Sequence, residues 1–219
     1  MTRVKICGIR CKAHALAAIE AGADFIGLVF APSQRQVAPA QAGEIIDAVK
    51  KSSKATTVVG VFVNMLVPEV NKTADSCHLD WVQLSGDESW EYCCQITKPL
   101  IKAVRIREGQ CLDEIYDYMA TGARILSAQR HIYLLDSQVK DKYGGTGIAF
   151  DWNLARQVAE RFPVIIAGGL TPENVAQAIE TVAPWGVDVS SGVETGGVKD
   201  IAKIRAFIEA VRRADDNKG

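Results

Sequence analysis

The groups able to do chemistry in this chain stand at the ends of apolar runs. Cys7 closes "VKIC" and is followed at once by Gly8, Asp136 closes "IYLLD", and Asp188 lies in "GVDV" just ahead of Ser190, Ser191 and Gly192. A thiol acts as a base or nucleophile once ionised. A carboxyl acts as an acid when its surroundings keep the proton on it. Arg35, shortly after "FIGLVF", carries a planar donor fork that matches a carboxylate or a phosphate. Ser85 and Gly86 follow "WVQL", Asn64 follows "VVGVFV", and Arg105 sits near the end of "LIKAVRI".

Glycine supplies a second kind of chemistry. "YGGTG" at 143–147, "AGGL" at 167–170 and "SSGVETGG" at 190–197 each follow an apolar run. One glycine pair reads as an ordinary turn. Three in successive loops point to backbone N–H groups that cradle a phosphate monoester, with Gly168, Gly169, Ser190, Ser191 and Gly192 as candidates. Taken singly, Cys7 reads as a core cysteine, Asp136 as a turn or cap aspartate and Arg35 as a solvated loop residue. A functional reading requires that they share one face.

The elements that could place them so are legible in the pattern. Eight short runs read as strands buried on both faces: 4–7, 25–30, 58–63, 81–84, 100–106, 132–136, 164–169 and 186–192. Segments with helical spacing lie between and after them, at 12–21, 39–51, 67–77, 89–96, 112–121, 152–161, 172–182 and 199–213. Thr171 is expected to cap a helix with Pro172 in its first position, and Gly22 and Gly122 are expected to end helices. Unbroken strand–helix alternation predicts an α/β fold, a single-domain (β/α)8 TIM barrel over residues 1–219. The rival is an open doubly wound sheet, whose G-x-G-x-x-G fingerprint after the first strand is absent. In a barrel, each of the candidate site residues falls at or after a strand's C-terminal end, the face where such folds carry their sites.

Composition removes whole classes of function. The 219 residues carry Lys+Arg 25 against Asp+Glu 26, a net charge of -1, with no basic block for nucleic acid or a membrane surface. No apolar run approaches the ~20 residues of a membrane span, and the N-terminus lacks a signal-peptide pattern, so a cytoplasmic location is expected. The six cysteines are expected to be reduced, and their spacing does not suit zinc. A small-molecule partner is the expectation.

Eight motifs in order, "KICGI" at 5–9, "SQRQV" at 33–37, "VGVFVN" at 59–64, "VQL" at 82–84, "LLDS" at 134–137, "GGTGIAFDW" at 144–152, "AGGLTPENV" at 167–175 and "GVDVSSGVE" at 186–194, span nearly the whole chain. Together they resemble the phosphoribosylanthranilate isomerase family of tryptophan biosynthesis. The resemblance implies a (β/α)8 barrel without metal or organic cofactor, working as a monomer or homodimer. It implies an Amadori rearrangement of N-(5-phosphoribosyl)anthranilate to 1-(2-carboxyphenylamino)-1-deoxyribulose 5-phosphate. By the same resemblance Cys7 matches the general base, Asp136 the general acid and Arg35 the clamp for the substrate carboxylate, with Ser85 and Asp188 as further substrate contacts. Two positions depart from the family pattern: Ser85 stands where histidine is common, and Arg10 where threonine is usual.

Two rivals remain on the residues alone. A related phosphosugar isomerase of histidine biosynthesis would carry aspartate at position 7, and a catalytically retired phosphate-binding barrel would have no need of both Cys7 and Asp136. How Cys7 loses its proton is open. Lys5, two residues earlier, would point into the barrel beside it and would need its own partner there, so it is not expected to assist.

Overall fold

The Val- and Ile-rich runs form eight parallel strands that close into a barrel in the order β1 to β8 in the computed structural model, which describes residues 1–52, 54–106, 109–127, 130–137 and 152–217. The strands are β1 (Arg3–Cys7), β2 (Phe25–Val29), β3 (Thr57–Phe62), β4 (Trp81–Leu84), β5 (Leu100–Ile106), β6 (His131–Ser137), β7 (Val164–Ile166) and β8 (Gly186–Val189). Helices follow each in turn: α1 (Lys12–Ala21), α2 (Pro39–Lys50), α3 (Val67–Ser76), α4 (Trp90–Cys93), α5 (Leu112–Ile125), α6 (Trp152–Ala159), α7 (Val175–Val182) and α8 (Ile201–Asp216). A two-stranded hairpin, β9 (Glu194–Thr195) and β10 (Val198–Lys199), is inserted between β8 and α8.

Because successive side chains on a strand point to opposite faces, the apolar residues separate into two cores. Val4, Ile6, Val82, Leu84, Leu135, Val187 and Val189 pack outward against the helices. Phe25, Val59, Trp81, Ile101, Ala103, Ile132, Leu134, Ile165 and Ala167 fill the barrel interior. Phe25 meets Trp81 edge-on at 6.4 Å and Trp185 at 5.8 Å, an aromatic floor under the site. The same alternation turns Lys5, Cys7, Gln83, Arg105, Asp136 and Asp188 inward, above that floor.

The barrel seam joins the two ends of the chain. β1 pairs with β8 in register, Lys5 opposite Asp188. Asp215 accepts from the Thr2 backbone N–H at 2.7 Å and from its hydroxyl at 2.6 Å, and Arg212 donates to the Thr2 carbonyl at 2.7 Å.

Three local expectations are corrected. Gly122 lies inside α5, which continues to Ile125; a Cβ there would sit 2.6 Å from the Trp90 ring, so this glycine serves packing between α5 and α4. α7 begins at Val175, and "TPEN" is a turn before it, in which Thr171 donates its N–H to Asn174 Oδ1 at 2.8 Å. β7 and β8 end at Ile166 and Val189, three residues short of the apolar runs, because Gly168 (φ 87) and Gly169 (φ 67) take left-handed backbone and Ser190 (φ -122, ψ -83) leaves the strand region. Gly22 does end α1, at φ 102.

Candidate active site

Cys7 is the last residue of β1 and is buried. Its neighbour two residues back on the same face is Lys5, whose Nζ donates to Asp188 Oδ1 at 2.8 Å. Lys5 faces inward beside Cys7, as strand alternation implied, and the partner it was expected to need is present. β8 supplies the partner that a lysine inside the barrel needs, and the charge of the ammonium acts on the neighbouring Cys7 sulfur. Gly27 on β2 makes room for both groups: a Cβ there would lie 2.9 Å from Cys7 Sγ and 3.1 Å from Lys5 Nζ.

Burial drives the Cys7 thiol above its ordinary value; Lys5 pulls it back, Asp188 pushes it up and Lys199 lowers it, and the balance stays upward. For Lys5, burial works against the charge, yet Asp188 and the Cys7 sulfur outweigh it and hold the ammonium above its ordinary value. The result is a protonated thiol beside a firmly charged ammonium, a pair that favours the thiolate at the moment it forms.

Above this pair lies a second cluster that the sequence reading missed. Arg35 donates through Nε and Nη2 to the two carboxylate oxygens of Glu194, each at 2.7 Å. Lys199 Nζ reaches Glu194 Oε1 at 2.6 Å and the Ser190 carbonyl at 2.8 Å. Gly8 (φ 79) lets the arginine cross the end of β1, since a Cβ there would be 2.6 Å from Arg35 Cδ and 3.2 Å from Ser190 Oγ. Burial alone would raise the Glu194 carboxyl, but Arg35 and Lys199 hold it below the usual carboxylate range. Glu194 was read only as part of a glycine-rich loop and Lys199 as the start of the helix expected at 199–213, whereas Lys199 lies in β10 and α8 begins at Ile201; the signal available was an acid and a base flanking "TGGV", the spacing of a tight hairpin.

Across the mouth, Asp136 ends the inward row of β6, half-buried, opposite Arg105 in the β5–β6 register. Arg105 donates to the Ser85 carbonyl and to Asp87 Oδ1, the latter at 3.2 Å. Ser85 Oγ accepts from Gln83 Nε2 at 2.9 Å, while Gln83 Oε1 is a buried acceptor with no partner among the described residues. Lys102, on the outward face of β5, pairs with Glu88 at 2.7 Å and with the Gly86 carbonyl at 2.9 Å, fixing the loop after β4 from behind.

The loops after β7 and β8 approach each other closely. A Cβ on Gly192 would fall 1.9 Å from the Leu170 carbonyl oxygen, so only glycine fits. The N–H groups of Gly168, Gly169, Ser191 and Gly192 find no acceptor among the described residues. Such a set of free donors suits an anion with several oxygens. The third glycine-rich stretch, "YGGTG", lies outside the described residues. All six cysteines are free thiols, and no helix among the described residues is long and apolar enough to cross a membrane.

Comparison with known proteins identifies the family. The family described as N-(5'phosphoribosyl)anthranilate (PRA) isomerase matches residues 4–210. An N-(5'-phosphoribosyl)anthranilate isomerase of Dehalococcoides mccartyi is 45% identical over 218 residues, covering 100% of this chain and 99% of its own, and that of Roseiflexus castenholzii is 49% identical over 96% and 98%. The phosphoribosyl anthranilate isomerase of Thermotoga maritima superposes with a TM-score of 0.81 at 38% identity, covering 97% of this chain and 100% of that one. A solved isomerase in complex with reduced 1-(o-carboxyphenylamino)-1-deoxyribulose 5-phosphate superposes with a TM-score of 0.78 at 36% identity and the same coverage. With a family match across almost all of its length and relatives near half-identical from end to end, the chain belongs to the N-(5'-phosphoribosyl)anthranilate isomerase family.

Proposed function

We propose that the chain converts N-(5-phosphoribosyl)anthranilate to 1-(2-carboxyphenylamino)-1-deoxyribulose 5-phosphate, with Asp136 as general acid and Cys7 as general base. Asp136 protonates the furanose ring oxygen; the C1′–O bond breaks as the anilino nitrogen lone pair forms a C=N bond. Cys7 then takes the proton from C2′, giving an enolamine that tautomerises to the ketose. No oxidant and no metal enters the balance. Each of the two proton transfers is worth ~10²–10⁴-fold.

The observation that carries the reading is the division of the barrel mouth into two arcs. Cys7 with its ammonium partner lies on β1, backed by β8, and Asp136 lies on β6, so a sugar seated between them meets an acid on one side and a base on the other. Gly168, Gly169, Ser191 and Gly192 would hold the phosphate through backbone N–H groups, with Ser190 beside them. Arg35 would take the anthranilate carboxylate, and Ser85 would line the opposite wall with its hydroxyl. Asp188 serves the substrate indirectly, by holding Lys5 against Cys7. The same reading carries a cytoplasmic location and a monomer or homodimer.

The direct test mixes the purified protein with freshly made phosphoribosylanthranilate and follows loss of its fluorescence. Conversion to the deoxyribulose product is expected, and a folded protein with no conversion would sink the reading. Arg35→Ala is expected to raise KM by about 10- to 100-fold with little change in kcat, the cost of a charge-assisted pair of bonds to a carboxylate. An unchanged KM would contradict the clamp.

A further inference from the structure

A guanidinium has two edges that can each grip a carboxylate: the side edge, Nε with Nη2, and the outer edge, Nη1 with Nη2. Glu194 takes the side edge of Arg35, at 2.7 Å on both bonds. Nη1 has no partner among the described residues, so the outer edge stays open. Arg35 lines a cavity of about 200 Å³ together with Gly8, Arg10, Glu194 and Lys199. Lys199, on the same Glu194 oxygen that Arg35 Nε uses, adds a second positive charge to one negative. The local sum therefore remains positive, and Glu194 does not cancel the attraction for an anion.

We propose that Glu194 is a positioning residue for substrate recognition: it fixes the Arg35 guanidinium so that its outer edge is already oriented for the substrate carboxylate. The inference rests on the isomerase reading above. An arginine on an exposed loop rotates freely and loses that freedom when it binds. Here the hairpin β9–β10 removes the freedom beforehand. The hairpin is itself tied to α8, since Lys203 Nζ donates to the Glu194 carbonyl at 2.8 Å and Asp200, which caps α8, accepts from the Thr195 hydroxyl at 2.8 Å. Aim is separable from charge: Glu194→Asp keeps the charge but withdraws the carboxylate by one methylene, whereas Glu194→Gln keeps the length and removes the charge.

The test compares two inhibitors, reduced 1-(o-carboxyphenylamino)-1-deoxyribulose 5-phosphate and the same compound without the ring carboxylate. The wild-type protein is expected to prefer the first. Glu194→Asp and Glu194→Gln are both expected to lower that preference by about threefold to tenfold, the effect of leaving one long side chain to be immobilised on binding. KM should rise by the same factor with kcat within twofold, and neither variant should lower the preference further in an Arg35→Ala background. Tighter binding of the carboxylate compound in both variants would overturn the proposal, because Glu194 would then be a competitor for Arg35. An unchanged preference in both would also overturn it. Wild-type protein that binds neither compound would instead remove the isomerase reading on which the proposal stands.

Discussion

Cys7→Ala and Asp136→Ala are each expected to lower kcat by at least roughly a hundredfold, within the ~10²–10⁴ that a positioned base or acid contributes. Both residues occupy strand ends, so neither replacement should disturb the barrel, and circular dichroism checks that. Near-normal turnover in either folded variant would remove that residue from its role. The pH dependence carries its own sign. Burial holds the Cys7 thiol above its ordinary value in the free enzyme, so at neutral pH the reactive thiolate is a minor fraction. A base that must first lose a proton gives a rate that climbs with pH, and kcat/KM should rise from neutral toward alkaline pH. In Cys7→Ala that climb should vanish from the residual activity.

Lys5→Met is expected to move the same rise further toward alkaline pH and to lower turnover at neutral pH by at least about tenfold, the loss shrinking as pH is raised. Lys5 is the strongest opponent of burial at the Cys7 sulfur, and Asp188 pushes the thiol the other way. Without the ammonium, burial and Asp188 both favour the protonated thiol, and only the Lys199 charge still opposes them. The variant should also lose ~3–5 kcal/mol of stability, because Asp188 would stay inside the barrel without its partner. The double variant Lys5→Met/Asp188→Asn separates the two effects: removing both charges should recover most of the stability in urea unfolding while turnover at neutral pH stays low. A pH–rate profile unmoved in Lys5→Met would assign the pair a structural role alone.

The barrel itself was legible from the runs of Val and Ile, because a strand buried on both faces reads as a nearly unbroken apolar run with few polar residues in it. That is why Cys7, Asp136 and Asp188 stood out. Lys5 was legible as a residue facing inward but not as an aid to Cys7, because its partner Asp188 is remote in sequence and only the β1–β8 register brings the two opposite each other. The Arg35–Glu194–Lys199 cluster was illegible for a related reason: it depends on a hairpin of two-residue strands, too short for any period to show. Gly122 misled because a glycine at the end of an apolar stripe looks like a helix stop, and only the Trp90 ring shows what its missing side chain makes room for. Gly8 is required by its positive φ and by Arg35, which takes the space its missing side chain leaves.

The seam has a consequence for when the enzyme comes into being. Lys5 and Asp188 are separated by 183 residues, and Thr2 and Asp215 by 213, so the contacts that close the ring have among the greatest sequence separations this polypeptide allows. Contacts of such high order carry a large loop-closure cost, and they cannot form until the chain between them exists. A nascent chain still short of residue 188 already carries its cysteine, yet that thiol has no ammonium held against it by an opposing carboxylate. Placing the Lys5–Asp188 pair across the joint between the first and last strands ties the surroundings of Cys7 to completion of the ring.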